Sequence, residues 1–223
     1  MNQSFNIFLA VFAAMFPIVN PLGGAPIFYQ MTAGVSDAVR ADIARKVAVY
    51  GFILLIVSMF IGSHILTFFG ISLPVLRVAG GLVVTVVGWQ LLNQGNATPE
   101  RNTASVDAAT LEAQAFYPLT MPLTTGPGSI ATAVALGAQA GNFSDASYEA
   151  IAQHALAAAC GLLCISLSVY LAYRYASKLE RILGRNGTNI LVRLFAFILL
   201  CIGMQIMWTG ISQLLLSLSN AAE

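Results

Sequence analysis

The sequence predicts an all-α membrane protein in which six transmembrane helices form two inverted three-helix repeats. Three observations lead to this prediction. The 223 residues are 58% hydrophobic and only 9% charged, whereas a soluble domain carries roughly 25% charged residues. The apolar residues form six long blocks. A proline-rich motif in the first block recurs in the fourth, which divides the chain into two related halves.

The scarcity of charge excludes two classes of protein. Ten basic and nine acidic side chains cannot cover the surface of a soluble monomer of this length. A nucleic-acid-binding protein is excluded because the net charge is only +1 and no long basic run is present to meet phosphates. The expected surroundings of the chain are therefore the lipid bilayer.

Each apolar block has the length of a membrane-spanning helix. Residues 47–69 contain no formal charge, and as a helix they would extend about 34 Å, which exceeds the ~30 Å hydrocarbon core of a bilayer. The other blocks are residues 5–28, 73–93, 116–139, 151–173 and 190–216. We expect the first block to stay in the mature protein, because no basic residue precedes it and Asn20 and Pro21 interrupt it.

The basic residues of the loops predict the orientation of the chain. They are Arg40, Arg45, Lys46, Arg101, Arg174, Lys178, Arg181 and Arg185. All of them follow the first, third or fifth block, while residues 70–72 and 140–150 contain none. Because positive loops stay on the cytoplasmic side, both termini should face outward. The last three basic residues alternate with leucine and isoleucine, which predicts a short cytoplasmic interfacial helix.

Two motifs repeat along the chain. The first proline motif, residues 16–26, reads FPIVNPLGGAP, and the second proline motif, residues 117–127, reads YPLTMPLTTGP. An aromatic residue, a leucine and three prolines coincide between them. A weaker match pairs Gly88 in the third block with Gly203 in the sixth, each followed two residues later by glutamine.

These matches predict how the chain is divided. One repeat covers residues 1–93, a cytoplasmic linker covers residues 94–115, and a second repeat covers residues 116–223. Each repeat contains three helices, which is an odd number. The two halves would therefore enter the membrane in opposite senses, which is the inverted-repeat plan of secondary transporters.

The two proline motifs should interrupt the first and fourth helices near the middle of the bilayer. Prolines remove backbone donors and clash with preceding carbonyls, and the glycines of both motifs let the backbone turn. Irregular backbone at membrane depth is tolerated in a protein interior or beside a watery cavity. Single prolines often only kink transmembrane helices, but two matched triplets favour discontinuous helices that bind substrate.

The half-helix ends at these breaks predict a binding site for a zwitterion. Helix N-termini suit a carboxylate, whereas exposed carbonyls suit an ammonium group or Na⁺. Amide and hydroxyl groups next to the breaks would complete the site. The predicted substrate-binding residues are Asn20, Pro21, Gly23, Gly24, Pro26, Thr120, Thr124, Thr125, Gly126, Pro127 and Gly128.

The same residues carry a resemblance to a known family. The pattern NPxGxxPxF over residues 20–28, together with PLTTGPG over residues 122–128, resembles the MarC family, also described as small neutral amino acid transporters. The resemblance covers essentially the whole chain. It implies a bacterial-type inner-membrane carrier that takes up or exports glycine, alanine or similar amino acids. It also implies a site at residues 20–26 and 124–128.

The positions of the acidic residues narrow the substrate. All nine lie in predicted loops or at the C-terminal end of the sequence. Without a carboxylate at the midplane, a divalent-metal carrier, a carboxylate proton relay and a cationic substrate are disfavoured. A small net-neutral amino acid fits best. No cofactor and no bound metal are expected, while Na⁺ or H⁺ as a coupling ion and assembly into a homo-oligomer stay open.

Two arginines fall inside the apolar blocks. Arg77 lies about one turn into the third block and Arg193 about one turn into the sixth, so the topology puts them near the outer and inner faces. A long basic side chain near a helix end can snorkel to the lipid headgroups. Alternatively, each arginine has a gating role and holds the substrate pathway closed at its face of the membrane by binding backbone carbonyls or acidic loop residues. Both interpretations stay open.

Other functions are less well supported by the sequence. An intramembrane enzyme is not expected, because the helices contain no HExxH or GxSxG motif and no paired carboxylates. A channel-like pore or a non-transporting partner subunit stays open, since broken helices also line pores. A carrier should saturate and show counterflow, whereas a pore should show neither.

Overall fold

The computed structural model of the protein describes residues 3–32, 34–93, 114–140 and 148–220, and nearly all of them are helical. The elements are α1 (Gln3–Val19), α2 (Pro21–Met31), α3 (Asp37–Phe68), α4 (Leu73–Asn93), a wide-turn segment (Ala115–Thr124), α5 (Pro127–Ala140), α6 (Tyr148–Arg174) and α7 (Ala176–Asn220). The described residues contain no strand, which confirms the predicted all-α class. Nearly all of the predicted linker, residues 94–113, lies outside the described residues.

Five helical stretches in the described part of the chain are long and apolar enough to cross a bilayer. They are Gln3–Met31, Asp37–Phe68, Leu73–Asn93, Glu149–Arg174 and Asn186–Ser219. The predicted sixth span is not confirmed. Its residues form the wide-turn segment and α5, and α5 has 14 residues, which as a helix extend about 21 Å and do not reach across a ~30 Å core.

The core lies where α1, α3 and α6 pack around α2 and the wide-turn segment. Each of these five elements contributes an almost fully buried side chain, and examples are Met15, Phe28, Leu55, Leu119 and Leu162. The opposite faces of the same helices carry exposed apolar side chains such as Ile53 and Leu167. An apolar outer face is stable against lipid tails, which are as apolar as leucine.

α4 and α7 form a tightly packed helix pair in which glycines face the backbone of the partner helix. A Cβ atom added to Gly81 would lie 2.5 Å from the backbone nitrogen of Met207, and one added to Gly88 would lie 2.7 Å from that of Leu200. Gly203 likewise faces the backbone of Thr85. Small residues at such positions let transmembrane helices approach closely. The Gly88 and Gly203 match seen in the sequence thus has a packing role.

Arg40 closes the connection between α2 and α3. Its side chain is only 5% exposed. The guanidinium donates to the hydroxyl and the carbonyl of Thr32, each at 3.1 Å, and to the carboxylate of Asp37 at 2.6 Å. It also lies over the ring of Tyr29, 4.8 Å from the ring centroid. Arg40 therefore ties the end of α2 to the start of α3.

Gly184 divides α7 into a short first part and the long span Asn186–Ser219. Its backbone has φ 65° and ψ 176°, a conformation that glycine adopts without the steric cost of a side chain. In the first part Lys178 and Arg181 are exposed, whereas Ala176 is buried. The part of α7 before Gly184 is therefore a short amphipathic helix, at the position where the sequence predicts an interfacial helix.

Candidate functional site

α1 and α2 meet at Asn20, the single residue between them. Asn20 adopts the left-handed conformation (φ 49°, ψ 60°), which asparagine tolerates better than most residues. Its N–H donates to the carbonyl of Phe16, and its own carbonyl accepts from the N–H of Gly24, both at 2.9 Å. Its Oδ1 caps α2 by accepting from the N–H of Gly23 at 3.0 Å. Pro21 fills the first position of α2, where no backbone donor is needed.

The wide-turn segment departs from a regular helix at two points. Tyr117 (φ −128°, ψ 124°) and Met121 (φ −114°, ψ 123°) are extended. Each precedes a proline, Pro118 or Pro122, and a proline disfavours the helical conformation in the residue before it. The chain consequently closes wider turns, and the N–H of Thr125 donates to the carbonyl five residues earlier at 2.8 Å.

Threonine hydroxyls satisfy carbonyls within the wide-turn segment. Thr120 Oγ1 donates to the carbonyl of Ala115, and Thr124 Oγ1 donates to that of Leu119, both at 2.7 Å. Both threonines are buried. A buried carbonyl without a donor costs about 1–3 kcal/mol. The two hydroxyls therefore stabilise a backbone that the prolines have made irregular.

Thr125 and Gly126 connect the wide-turn segment to α5. Thr125 is only 1% exposed, yet its hydroxyl has no hydrogen-bond partner among the described residues. The hydroxyl of Ser129 donates to the carbonyl of Gly126 at 2.8 Å in the first turn of α5. Gly128 lies so close to Val84 of α4 that an added Cβ would overlap the valine side chain. This stretch is therefore closely packed, and it contains one hydroxyl, that of Thr125, without a hydrogen-bond partner among the described residues.

Tyr173 of α6 joins the two proline motifs. Its hydroxyl lies 2.9 Å from Thr124 Oγ1, and it is the donor in this bond because Thr124 already donates to the carbonyl of Leu119. A Cβ atom added to Gly24 would lie 2.6 Å from the same hydroxyl. The ring stacks on Phe28 with 4.3 Å between the ring centroids. Residues of both motifs therefore contact one buried tyrosine.

A small cavity lies beside this contact. Its volume is about 10 Å³, which is close to the space that a single water molecule needs. Its lining includes Val19, Gly51, Leu55, Thr124, Thr125 and Ser166 and carries no charged side chain among the described residues. Thr125 Oγ1 approaches Gly51 so closely that an added Cβ would lie 2.9 Å from it.

The comparisons with known proteins assign the chain to a family. A model described as "MarC family integral membrane protein" matches residues 5–215. The chain belongs to the MarC family. A "UPF0056 membrane protein" of Archaeoglobus fulgidus is 30% identical over 96% of both chains, and one of Aquifex aeolicus is 30% identical over 94% of both.

A bacterial relative carries the family name itself. The "UPF0056 inner membrane protein MarC" of Citrobacter koseri is 29% identical over 90% of this chain and 92% of its own. No solved structure matches the chain. MarC membership confirms the resemblance seen in the sequence and identifies an integral membrane protein.

The structure of this MarC family member brings several predicted binding residues together. Gly24 and Thr124 contact or approach the Tyr173 hydroxyl, and Thr125 faces the cavity. Pro127 is exposed at the start of α5. The buried members of the predicted set are Asn20, Pro21, Gly23, Gly24, Pro26, Thr120, Thr124, Thr125 and Gly128. Their role in substrate binding stays a prediction.

The two membrane arginines lie apart from this site. Arg77 Nη1 donates to Oε1 of Gln213 at 2.5 Å and thereby joins α4 to α7. Arg193 is exposed on α7. No hydrogen bond or ion pair between described residues connects either arginine to the two proline motifs. Their gating role in this MarC protein therefore also stays a prediction.

Two residues that matter in the structure were missed in the sequence. Tyr173 ends an apolar block and belongs to no motif, but a tyrosine hydroxyl in such a block needs a hydrogen-bond partner, and this requirement could have singled it out. In the sequence Arg40 served only as one of the basic loop residues that predict the orientation of the chain in the membrane. Its position next to Thr32 and Asp37 gives no hint that the guanidinium is buried.

Proposed function

We propose that this MarC family member is a secondary transporter that moves small neutral amino acids, such as glycine and alanine, across the bacterial inner membrane. The proposal rests on one observation above all. The two proline motifs, which belong to opposite halves of the chain, meet at Tyr173 beside a small, mostly apolar cavity whose lining residues include Thr124, Thr125 and Ser166.

The polar groups at this site suit a zwitterion. Thr125 Oγ1 and the amide nitrogen of Asn20 have no hydrogen-bond partner among the described residues, so both can donate to a carboxylate. The half-helix α2 begins directly after Asn20, with the positive end of its dipole at that residue. A substrate with net charge would be left without a counter-charge in this lining, which is costly in a buried site.

The small size of the cavity means that transport would require the protein to change conformation. A cavity of about 10 Å³ admits roughly one water, so an amino acid enters only when the elements around it separate. Tyr173 is next to the end of α6, which the charge pattern predicts to be cytoplasmic. Opening toward the cytoplasm would therefore break the bond between Tyr173 and Thr124.

Alternating access follows from the repeat plan. We infer six spans, with the wide-turn segment and α5 together serving as the fourth, and discontinuous first and fourth helices in two inverted repeats. The supporting evidence is the proline register and the restriction of loop basic residues to alternate loops, which also puts both termini on the periplasmic side. Na⁺ or H⁺ would be the coupling ion, and a homo-oligomer is compatible with the apolar outer faces.

Transport by purified protein tests the proposal. The full chain is reconstituted in liposomes, and uptake of labelled glycine and alanine is measured with a Na⁺ gradient, with a proton gradient, and by counterflow against unlabelled amino acid. We expect saturable uptake and counterflow above empty liposomes. The absence of both under every gradient would contradict the proposal.

The same assay separates the alternatives. A channel-like pore would pass glycine without saturation or counterflow, and a non-transporting partner subunit would be silent when purified alone. Thr67→Ala serves as a control for substitutions in the site, because Thr67 is exposed and its hydroxyl donates only within α3, to the carbonyl of Ser63. We expect Thr67→Ala to transport like the unmodified chain.

A further inference from the structure

A second cavity lies at the end of the molecule where α3 begins and α6 passes into α7. Its volume is about 270 Å³, and its lining includes Asp37, Ala41, Arg174, Tyr175, Ser177 and Lys178. We call it the basic groove. It takes no part in the contact between the proline motifs, and its size and polarity differ from those of the small cavity beside Tyr173.

The two cations of the basic groove are held by aromatic rings and not by carboxylates. Arg174 donates to the hydroxyl of Tyr170, and its guanidinium lies 5.8 Å from the ring centroid of Tyr175. Lys178 Nζ lies 5.0 Å from the same centroid. Among the described residues no carboxylate lies within salt-bridge distance of either cation. Both positive charges are therefore free to meet an external anion.

The acidic residue of the groove is already engaged. The carboxylate of Asp37 accepts a hydrogen bond from Arg40 at 2.6 Å. Arg40 is itself buried and bound to the end of α2, so the negative charge of Asp37 is compensated by a guanidinium that is held in place. The net field inside the groove is therefore positive.

The depth of the groove matches the lipid headgroups. Ser166 Oγ donates to the carbonyl of Ala48 at 2.6 Å, which aligns α6 with α3 at the point where the apolar part of α3 begins. Along the two helix axes Ala41 lies about 10 Å and Arg174 about 12 Å from this contact, toward the same end of the molecule. The polar layer adds roughly 5–8 Å to each side of the hydrocarbon core, so the groove opens at the outer edge of the headgroup layer, where long basic side chains can reach the headgroups.

We propose that the basic groove binds the phosphate of an anionic lipid headgroup. The guanidinium of Arg174 presents a planar set of donors to phosphate oxygens, and Lys178 adds a second positive charge. The hydroxyl of Ser177, in the first turn of α7, supplies a further donor. Basic pockets between transmembrane helices on the cytoplasmic side are suited to such headgroups, and a tyrosine beside them belongs at the same interface.

Lipid titration of the purified full chain tests this proposal. Native mass spectrometry in detergent gives the dissociation constants for phosphatidylglycerol, which is anionic, and for phosphatidylcholine, which is zwitterionic. Each cation near an anionic headgroup contributes roughly fivefold in affinity. Arg174→Gln with Lys178→Gln should therefore weaken phosphatidylglycerol binding about 25-fold and leave phosphatidylcholine binding nearly unchanged.

Two further variants make the result specific to the groove. Arg45→Gln with Arg181→Gln removes the same amount of charge from exposed positions outside the lining, and it should keep the preference for phosphatidylglycerol. Ala41→Phe fills the groove without changing its charge and should abolish the preference. Equal affinity for the two lipids, or equal loss in the Arg45/Arg181 control, would overturn the proposal.

Inorganic phosphate carries the same charged group as the lipid headgroup and could bind to the basic groove in its place. Inorganic phosphate at millimolar concentration is added during the phosphatidylglycerol titration. We expect no displacement, because the acyl chains of the lipid add affinity that phosphate lacks. Displacement of phosphatidylglycerol by inorganic phosphate would contradict the lipid assignment and make the groove a site for soluble phosphate.

Discussion

The two proline motifs share their proline spacing but differ in their backbone. In the aligned motifs, Asn20 corresponds to Met121. Asn20 turns left-handed and caps α2 with its own side chain, so that one helix follows another at once. Met121 has no polar side chain for a cap and is extended before Pro122. The comparison teaches that the residue before the central proline, and not the proline alone, determines the path of the chain.

The motifs also differ in what they contribute to their contact. Gly23 and Gly24 of the first motif align with Thr124 and Thr125 of the second. The glycines provide space and the threonines provide hydroxyls. Tyr173 uses both, because its hydroxyl lies against Gly24 and donates to Thr124. The two motifs thus contribute different groups to their contact with Tyr173.

Filling the space at Gly24 should have the largest effect. Gly24→Val brings a side chain against the Tyr173 hydroxyl, because even a Cβ atom would lie 2.6 Å from it. Overpacking of this kind costs about 1–3 kcal/mol, and we expect glycine counterflow to fall at least about tenfold, since 1.4 kcal/mol in the transport barrier has that effect. Thermal unfolding in detergent and counterflow in liposomes measure the two effects.

A control substitution tests whether the effect belongs to the site. Gly187→Ala adds a methyl group in α7, where an added Cβ meets only the side chain of Leu183 at 3.2 Å or more. Its transport should equal that of the unmodified chain. Normal counterflow in Gly24→Val would show that the first motif does not supply the space attributed to it.

Substitution of Asn20 should have the next largest effect. Asn20→Ala loses the cap, worth about 1 kcal/mol, and forces a residue with a Cβ and no polar group into the left-handed region, which costs about 1 kcal/mol more. We expect the free energy of unfolding to fall by about 2 kcal/mol. Met121→Ala, at the aligned position, should cost less than about 1 kcal/mol because Met121 caps nothing. Urea unfolding monitored by tryptophan fluorescence compares the two variants.

A third variant separates the two roles of Asn20. Asn20→Asp keeps an oxygen that can accept from Gly23 but loses the amide nitrogen proposed to meet the substrate. It should therefore keep the cap, lose some stability because a carboxylate is placed at a position that is only 8% exposed, and transport glycine poorly. If Asn20→Asp transports normally, Asn20 is a cap and nothing more.

Tyr173→Phe should have a moderate effect. The phenyl ring can still stack on Phe28, so the variant should fold and lose only the bond to Thr124, worth about 1 kcal/mol. A double-mutant cycle with Thr124→Val measures this bond directly, and we expect a coupling energy of about 1 kcal/mol. A coupling energy near zero would mean that the two motifs are not joined through this tyrosine.

The helical class and the family could be predicted from the sequence because both depend on properties that extend over many residues. Long apolar blocks predict bilayer-spanning helices whatever their neighbours are. Prolines act on their own turn and on the residue before them, so the extended conformation of Met121 follows from the sequence, whereas discontinuous first and fourth helices stay a prediction. The predicted count of six spans was not confirmed, because hydropathy does not report that residues 115–124 form an irregular segment instead of part of a long helix.

Features that depend on distant contacts could not be predicted. The partner of the Tyr173 hydroxyl is Thr124, in another element, and the burial of Arg40 depends on the fold of the α2–α3 connection. The eleven predicted binding residues also look alike in the sequence. In the structure they differ. The hydroxyls of Thr120 and Thr124 donate hydrogen bonds to backbone carbonyls, whereas the hydroxyl of Thr125 has no hydrogen-bond partner among the described residues.

This difference between neighbouring threonines gives the smallest expected change in stability. Thr125→Ala removes a buried methyl group and a hydroxyl without a protein partner. No carbonyl loses its donor, so the free energy of unfolding should fall only by the cost of the methyl group, about 0.8 kcal/mol. If the hydroxyl binds substrate, the KM for glycine should rise about 2- to 10-fold, the equivalent of one hydrogen bond, and Thr125→Ser should restore it. Thr124→Ala loses its methyl group as well and also leaves the carbonyl of Leu119 unsatisfied, so it should destabilise the protein by about 2 kcal/mol or more. An unchanged KM in Thr125→Ala would remove this residue from the binding site while leaving the contact at Tyr173 intact.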